Sequence, residues 1–281
     1  MVARETTAFL AGEEQTAQLS KPALIRHVRP MSAMIHVSRP TGSILLLELD
    51  APPANALGLA VRAQLVKILD EIATDDEVRA VVLTGRGGVF CAGDDLREAA
   101  ARQAGGRAAP DALAAVENFN RLMDWIEALR VPLIAAIDGW CFGGGLELAL
   151  ACDIRLASER AVFAASGVNI GLMASVTRLP RLIGVGRAKA HLLTGAQFGP
   201  ERALADGIVT AVHAPERLLP EAFHLAEWIA SRAPLAVEAT KRVVDGRSYV
   251  EEELPALVAS ADHREAIAAF MAKRTTLFRR G

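Results

Sequence analysis

One stretch constrains this chain more than any other: Gly139-Trp140-Cys141-Phe142-Gly143-Gly144-Gly145-Leu146-Glu147-Leu148-Ala149-Leu150-Ala151-Cys152-Asp153. The apolar run before it, Val131-Pro132-Leu133-Ile134-Ala135-Ala136-Ile137, is short and rich in branched residues, as a buried strand is. The residues after the glycines, Leu146 to Ala151, are strong helix formers. The order is therefore strand, glycine turn, helix. Consecutive glycines allow close backbone approach and conformations that other residues avoid. The first turn of the helix leaves N–H groups unpaired, with the positive end of the helix dipole behind them. Glu147 falls in that first turn. An anion-stabilising N–H beside a carboxylate suits an enolate. A nucleotide-type glycine turn, or glycines needed only for packing, also fits this stretch taken alone.

The rest of the chain alternates strand and helix, which argues for an α/β core. Ile44 to Leu49 reads as a strand, ended by Asp50-Ala51-Pro52-Pro53. Ala60 to Ile72 is an amphipathic helix, with Leu65, Ile68, Leu69 and Ile72 at helical spacing. Val78 to Thr84 is a second buried strand, turned by Gly85-Arg86-Gly87-Gly88. Ala99 to Pro110 is alanine-rich, contains Gly105-Gly106 and is expected to be a loop. Leu113 to Leu129 is helical. Ile154 to Ala157 and Ala161 to Ala165 are short strands, and Arg178 to Gly184 leads into a helix over Ala188 to Leu193. Glu201 to Ala205 is a short helix and Gly207 to Val212 a last strand. From Leu218 onward the pattern is helical, over Leu218–Arg232, Pro234–Gly246 and Tyr249–Arg274. Its apolar positions exceed what short helices need to cover themselves, so this region is expected to pack on another subunit.

Three divisions follow: residues 1–33 as a leader or flexible extension, 34–217 as the α/β core, and 218–281 as a helical oligomerisation region. In the first, Glu5, Glu13 and Glu14 stand among Arg4, Lys21, Arg26 and Arg29. A transit peptide is poor in acids, so that reading is disfavoured.

Composition excludes several classes. The 31 basic and 33 acidic residues balance, and aromatics are only 5% of the chain, with no basic run or interleaved aromatic stripe for nucleic acid. The three cysteines, Cys91, Cys141 and Cys152, have no metal-ligand spacing and form no disulfide framework, which fits a reducing cytoplasm. No apolar run is long enough for a membrane span.

Taken together, the motifs resemble the enoyl-CoA hydratase/isomerase (crotonase) superfamily over roughly Ile44 to Phe278. Its carriers are Pro53-Ala54-Asn55-Ala56-Leu57, Phe90-Cys91-Ala92-Gly93-Asp94-Asp95-Leu96 and Pro132 to Asp153. Leu193-Thr194-Gly195, Ala203-Leu204-Ala205-Asp206-Gly207-Ile208-Val209 and Glu265-Ala266-Ile267-Ala268-Ala269-Phe270 follow, with Lys273-Arg274 and Phe278 closing the set. Each is weak alone, but the ordered set is specific. The resemblance implies a crotonase-like fold of repeated ββα units with a C-terminal helical trimerisation region, assembled as a homotrimer or dimer of trimers. It implies an acyl-CoA thioester as substrate and no cofactor, coenzyme A being part of the substrate. By position, the family's oxyanion-hole N–H groups map to Asp94 and Gly144; one such donor is typically worth about 2.7–4 kcal/mol in the transition state. The resemblance also places Ala92, Gly143, Lys273 and Phe278 at the coenzyme A-binding site.

Hydratases of this family hold a water between two glutamates. The first is present as Glu147. Anchoring on Phe163 and Gly171 puts Gly167 where the second belongs, and the turn that follows, Leu172-Met173-Ala174-Ser175-Val176-Thr177, is shortened. The implied function is an enoyl-CoA hydratase-type lyase with Glu147 as acid/base. The alternatives are an isomerase, another crotonase reaction such as thioester hydrolysis or decarboxylation, or a CoA-ester-binding homologue. Asp94, Asp95 and Glu98 are the nearest acids to take the missing role, with helix capping the blander reading of each. Asn169 and Ser166 are candidates to orient water. His191, His213, His224 and His263 read as structural.

Overall fold

A computed structural model describes residues 34–104 and 108–281, with side chains 102–110 left aside. The leader assigned to residues 1–33 and the Gly105-Gly106 pair lie outside the described residues. Residues 33–281 make one compact unit.

Strands β1 (Ile35–Thr41), β2 (Ile44–Leu49), β3 (Ala80–Gly85), β5 (Leu133–Ile137), β7 (Ile154–Ser158) and β10 (Ala211–His213) form the large sheet, in the order β1-β2-β3-β5-β7-β10. Strands β4 (Val89–Cys91), β6 (Trp140–Phe142), β8 (Val162–Ala164) and β9 (Gln197–Phe198) form the small one, in that order. All pairings are parallel except β1 with β2 and β8 with β9. The pairs β3–β4, β5–β6 and β7–β8 thus each send their first strand into the large sheet and their second, after a tight corner, into the small one. Glycine makes two of these corners possible. A Cβ on Gly85 would lie 2.0 Å from the Val89 carbonyl oxygen, and one on Gly139 (φ +68°) 1.9 Å from that of Gly88. This is the α/β architecture of repeated ββα units expected from the sequence.

Ile44, Leu46, Ala80, Val82, Ile134, Ala136 and Leu156 share one face of the large sheet, as the period of two requires. The helix Pro215–Ala230 covers that face through Leu218, Ala222 and Ala226, spaced four apart. The first helix of the C-terminal region is therefore part of the core, while Pro234–Val244, Val250–Ala259 and Ala261–Met271 follow it outward.

Two local expectations change. The alanine-rich segment read as a loop is helical over Leu96–Ala104. Asp95 nucleates it: its Oδ1 accepts from the N–H of Arg97 at 2.8 Å, and alanine favours the helix that follows. The strand read over Gly207 to Val212 is shorter and later, at Ala211–His213, and Gly207, at φ +82°, instead ends the helix Pro200–Asp206 in the left-handed conformation. Strand β1 carries no alternating signal, because as an edge strand it is mostly exposed.

Candidate active site

The helix Gly144–Ala151 begins where the two glycine segments meet. Gly143, at φ +50°, donates its N–H to the Ala164 carbonyl at 2.9 Å, which ties the turn to β8. A Cβ on Gly145 would stand 2.0 Å from the Cys91 carbonyl oxygen. Only glycine lets the helix start press so closely on β4. One residue earlier, a Cβ on Gly144 would lie 3.3 Å from the Asp94 backbone nitrogen and 3.2 Å from Phe119 Cζ. Gly93, at φ +101°, faces back, with its Cβ position 2.9 Å from the Gly144 nitrogen. The structure therefore brings the backbone of Asp94 against that of Gly144, two residues that share no local pattern. At the far end of the helix, the buried Arg155 donates to the carbonyls of Cys152 at 2.5 Å and Ala149 at 3.4 Å, satisfying its last turn.

The segment Ala51–Leu57 laces the other side. The Ala92 N–H donates to the Ala54 carbonyl at 3.0 Å, and the Leu57 N–H to that of Gly93 at 2.8 Å. Asn55 Nδ2 donates to the carbonyls of Arg86 and Val89 at 3.0 and 2.6 Å. Beneath the loop, buried Arg62 holds three segments together. It donates to the Leu57 carbonyl at 2.6 Å, to the Ala115 carbonyl at 3.2 Å and to the Asp94 carboxylate, and its guanidinium lies 4.9 Å from the centre of the Phe119 ring.

Glu147 is buried. Its Oε1 accepts from Arg178 Nη1 at 2.6 Å, while its Oε2 is buried with no hydrogen-bond partner. The other arm of Arg178 reaches Asp124 and Glu127, both on the helix Ala108–Ala128, and Arg181 also pairs with Glu127. A buried carboxylate with one oxygen fixed and one unsatisfied is an arrangement suited to proton transfer.

The place of a second carboxylate is closed. A Cβ on Gly167 would lie 2.8 Å from the Ala174 nitrogen and 2.9 Å from the Leu172 carbonyl oxygen, so turn backbone fills the space a side chain would need. Asp95 caps its helix, Glu98 accepts from the Leu59 N–H at 3.0 Å, and Asp94 is gripped by Arg62, so each has a structural use. Asn169 donates to the Gly195 carbonyl at 3.0 Å, whereas Ser166 Oγ lies 2.9 Å from the Cβ position of Gly143, at the glycine turn. His191 pairs with Asp206 at 2.7 Å inside the fold. Burial pushes the Cys91 thiol up to about 12, which removes this neighbour of Gly93 as a nucleophile.

Phe278 of the tail is anchored at a different edge of the fold. Lys273 is exposed, and the Phe278 carbonyl accepts from Arg79 at 2.9 Å, at the start of β3. Gly85, at the other end of that strand and packed on the start of β4, is six residues on, roughly 20 Å away. Ala92, Gly143, Gly144, Asp94 and Glu147 are thus gathered at one place, and the Phe278 backbone is held apart from it. A cavity of about 830 Å³ lies behind Arg178, between Cys152–Arg155 and the helices that carry Trp228 and Lys241. Arg62, Arg178 and Phe119 are site residues that no motif singled out; their ties to the site cross long stretches of chain.

The enoyl-CoA hydratase/isomerase family model matches residues 39–279. The chain is 35% identical over 251 residues to 2,3-dehydroadipyl-CoA hydratase of Escherichia coli, covering 84% of this chain and 95% of that relative. It is 34% identical over 262 residues to carnitinyl-CoA dehydratase of Proteus mirabilis, covering 87% and 98%. Among solved structures, enoyl-CoA hydratase from Bacillus anthracis superposes with a TM-score of 0.82 at 34% identity, over 89% of this chain and all of that one.

Proposed function

We propose, from the premise that this chain belongs to the enoyl-CoA hydratase/isomerase family, that it interconverts an enoyl-CoA and a β-hydroxyacyl-CoA with Glu147 as the sole carboxylate acid/base. The observation that carries this reading is Glu147, buried one turn beyond the contact of Asp94 with Gly144, with Oε2 uncommitted. The thioester oxygen would accept from the N–H groups of Asp94 and Gly144, which meet the charge that grows as the enolate forms. Glu147 takes the α-proton; once protonated, it returns that proton to the departing β-hydroxyl, and water leaves. Hydration is the same path reversed, so one carboxylate balances the protons in both directions. No cofactor beyond coenzyme A enters these steps.

A second reading rests on the closed space at Gly167. One base that removes an α-proton and returns it to the γ-carbon shifts a double bond without any activated water. A panel of CoA thioesters assayed for hydration, dehydration and isomerisation separates the two. Turnover of none of them would leave thioester hydrolysis, decarboxylation or CoA-ester binding alone.

A homotrimer or dimer of trimers fits this reading. Phe270, Met271, Leu277 and Lys273 are exposed on the C-terminal region, and Phe278 is tied to Arg79, at the end of β3 away from Gly85. In a trimer Lys273 and Phe278 would reach a neighbour's coenzyme A. A monomer in light scattering at micromolar concentration would contradict this. No described helix is long and apolar enough to cross a membrane, and a cytoplasmic location suits three unpaired cysteines.

A further inference from the structure

We infer that Arg178 is a positioning residue for the reaction: it fixes Glu147 through Oε1 so that Oε2 alone exchanges protons with the substrate. The inference rests on the reading of Glu147 as the base. A glutamate side chain rotates about its last bond with little preference, so its two oxygens are equivalent unless something distinguishes them. Here Arg178 Nη1 holds Oε1 at 2.6 Å, and Oε2 is buried without a partner. Arg178 is itself fixed, buried, with its second arm on Asp124 and Glu127.

Charge supports a dedicated arrangement. Glu127 also meets Arg181 and Arg247, so with Glu147 ionised the cluster sets three carboxylates against three guanidinium groups. Loss of Arg178 would leave a buried carboxylate without its counter-ion and free to turn. The anchor also ties the base to the pocket. Asp124 and Glu127 belong to the helix whose Phe119 abuts Gly144, so one guanidinium registers Glu147 against the element that flanks the oxyanion segments. Where hydratases of this family have a second glutamate, this chain has turn backbone, and Arg178 begins the helix that directly follows that turn.

The test uses the full-length protein and butanoyl-CoA. This thioester has no double bond, so exchange of its α-hydrogens for deuterium in D2O reads the base alone. Arg178→Met should lower the exchange rate about 10²-fold, the cost of misplacing a catalytic group by roughly 1 Å, with the KM for butanoyl-CoA changed less than about threefold. Arg178→Lys should recover part of the loss, and millimolar guanidinium ion should raise the rate of Arg178→Ala but leave Glu147→Gln unchanged. Exchange within threefold of the unsubstituted rate in folded Arg178→Met overturns the inference and leaves Glu147 as the base. No exchange by the unsubstituted protein, or undiminished exchange by Glu147→Gln, overturns the base reading and the inference with it. Should Arg178→Met fail to fold, Arg178→Lys decides: an unchanged rate with no response to guanidinium overturns the inference.

Discussion

Glu147 and Arg178 form a buried ion pair in which one carboxylate oxygen is bonded at 2.6 Å and the other is left without a partner. A buried polar atom without a hydrogen bond is costly, about 1–3 kcal/mol, and this one stands one turn beyond the glycine turn. On the proposed reading, Glu147→Gln should retain the fold and the affinity for an unreactive acyl-CoA, since the proposed oxyanion donors are backbone groups. Turnover of the best substrate should fall by about 10²–10⁴-fold. Steady-state kinetics alongside calorimetric binding measures both.

Restoring the missing carboxylate should fail. Gly167→Glu places its Cβ 2.8 Å from the Ala174 nitrogen and 3.0 Å from its Cβ, contacts that the turn must shift to relieve. The expected outcome is a lower melting temperature, by about 1–3 kcal/mol of stability, and no gain in crotonyl-CoA hydration. A clear gain in the spectrophotometric hydration assay would show that the turn yields.

Two glycines should answer the same substitution with opposite signs. Gly145→Ala drives a methyl to 2.0 Å from the Cys91 carbonyl oxygen and should cost about 3 kcal/mol or more, with activity lost as the glycine segments part. Gly186→Ala, inside the helix Val185–Thr194 with nothing within 4 Å, should stabilise the protein by about 0.5–1 kcal/mol. Denaturant melts of the two variants give the comparison.

Acid should weaken the C-terminal helices before neutral pH affects them. The bonds from the Arg242 guanidinium hold the Glu253 carboxyl at about 2, against 4.5 for the free group. The stabilisation is therefore complete above about pH 4.5 and is lost as pH falls towards 2. Arg242→Gln should flatten the melting temperature over that window by lowering it at pH 7 towards the acid value, a small drop because a half-exposed pair contributes little. Thermal melts from pH 2 to 7 test it.

The sequence by itself determined the strand–turn–helix order around Gly143 to Gly145, the alternation of strand and helix, and the position of Glu147 in a first helical turn. These are local matters of period, propensity and glycine conformation, and Ile44–Leu49 is a strand with the bounds read from its apolar run. The family's pattern also marked the absence of a carboxylate at Gly167. The alanine-rich stretch after Asp95 misled because the neighbouring glycines suggested a loop while the cap and propensity favoured a helix. Only the tertiary structure decided what Glu147 touches. Arg178 lies 31 residues away and Asp124 and Glu127 are on a different helix, so their meeting depends on where the sheets set those helices. The fate of Gly167 was likewise a question of space. A missing side chain can leave room for another group or be closed by backbone, and only packing distinguishes the two.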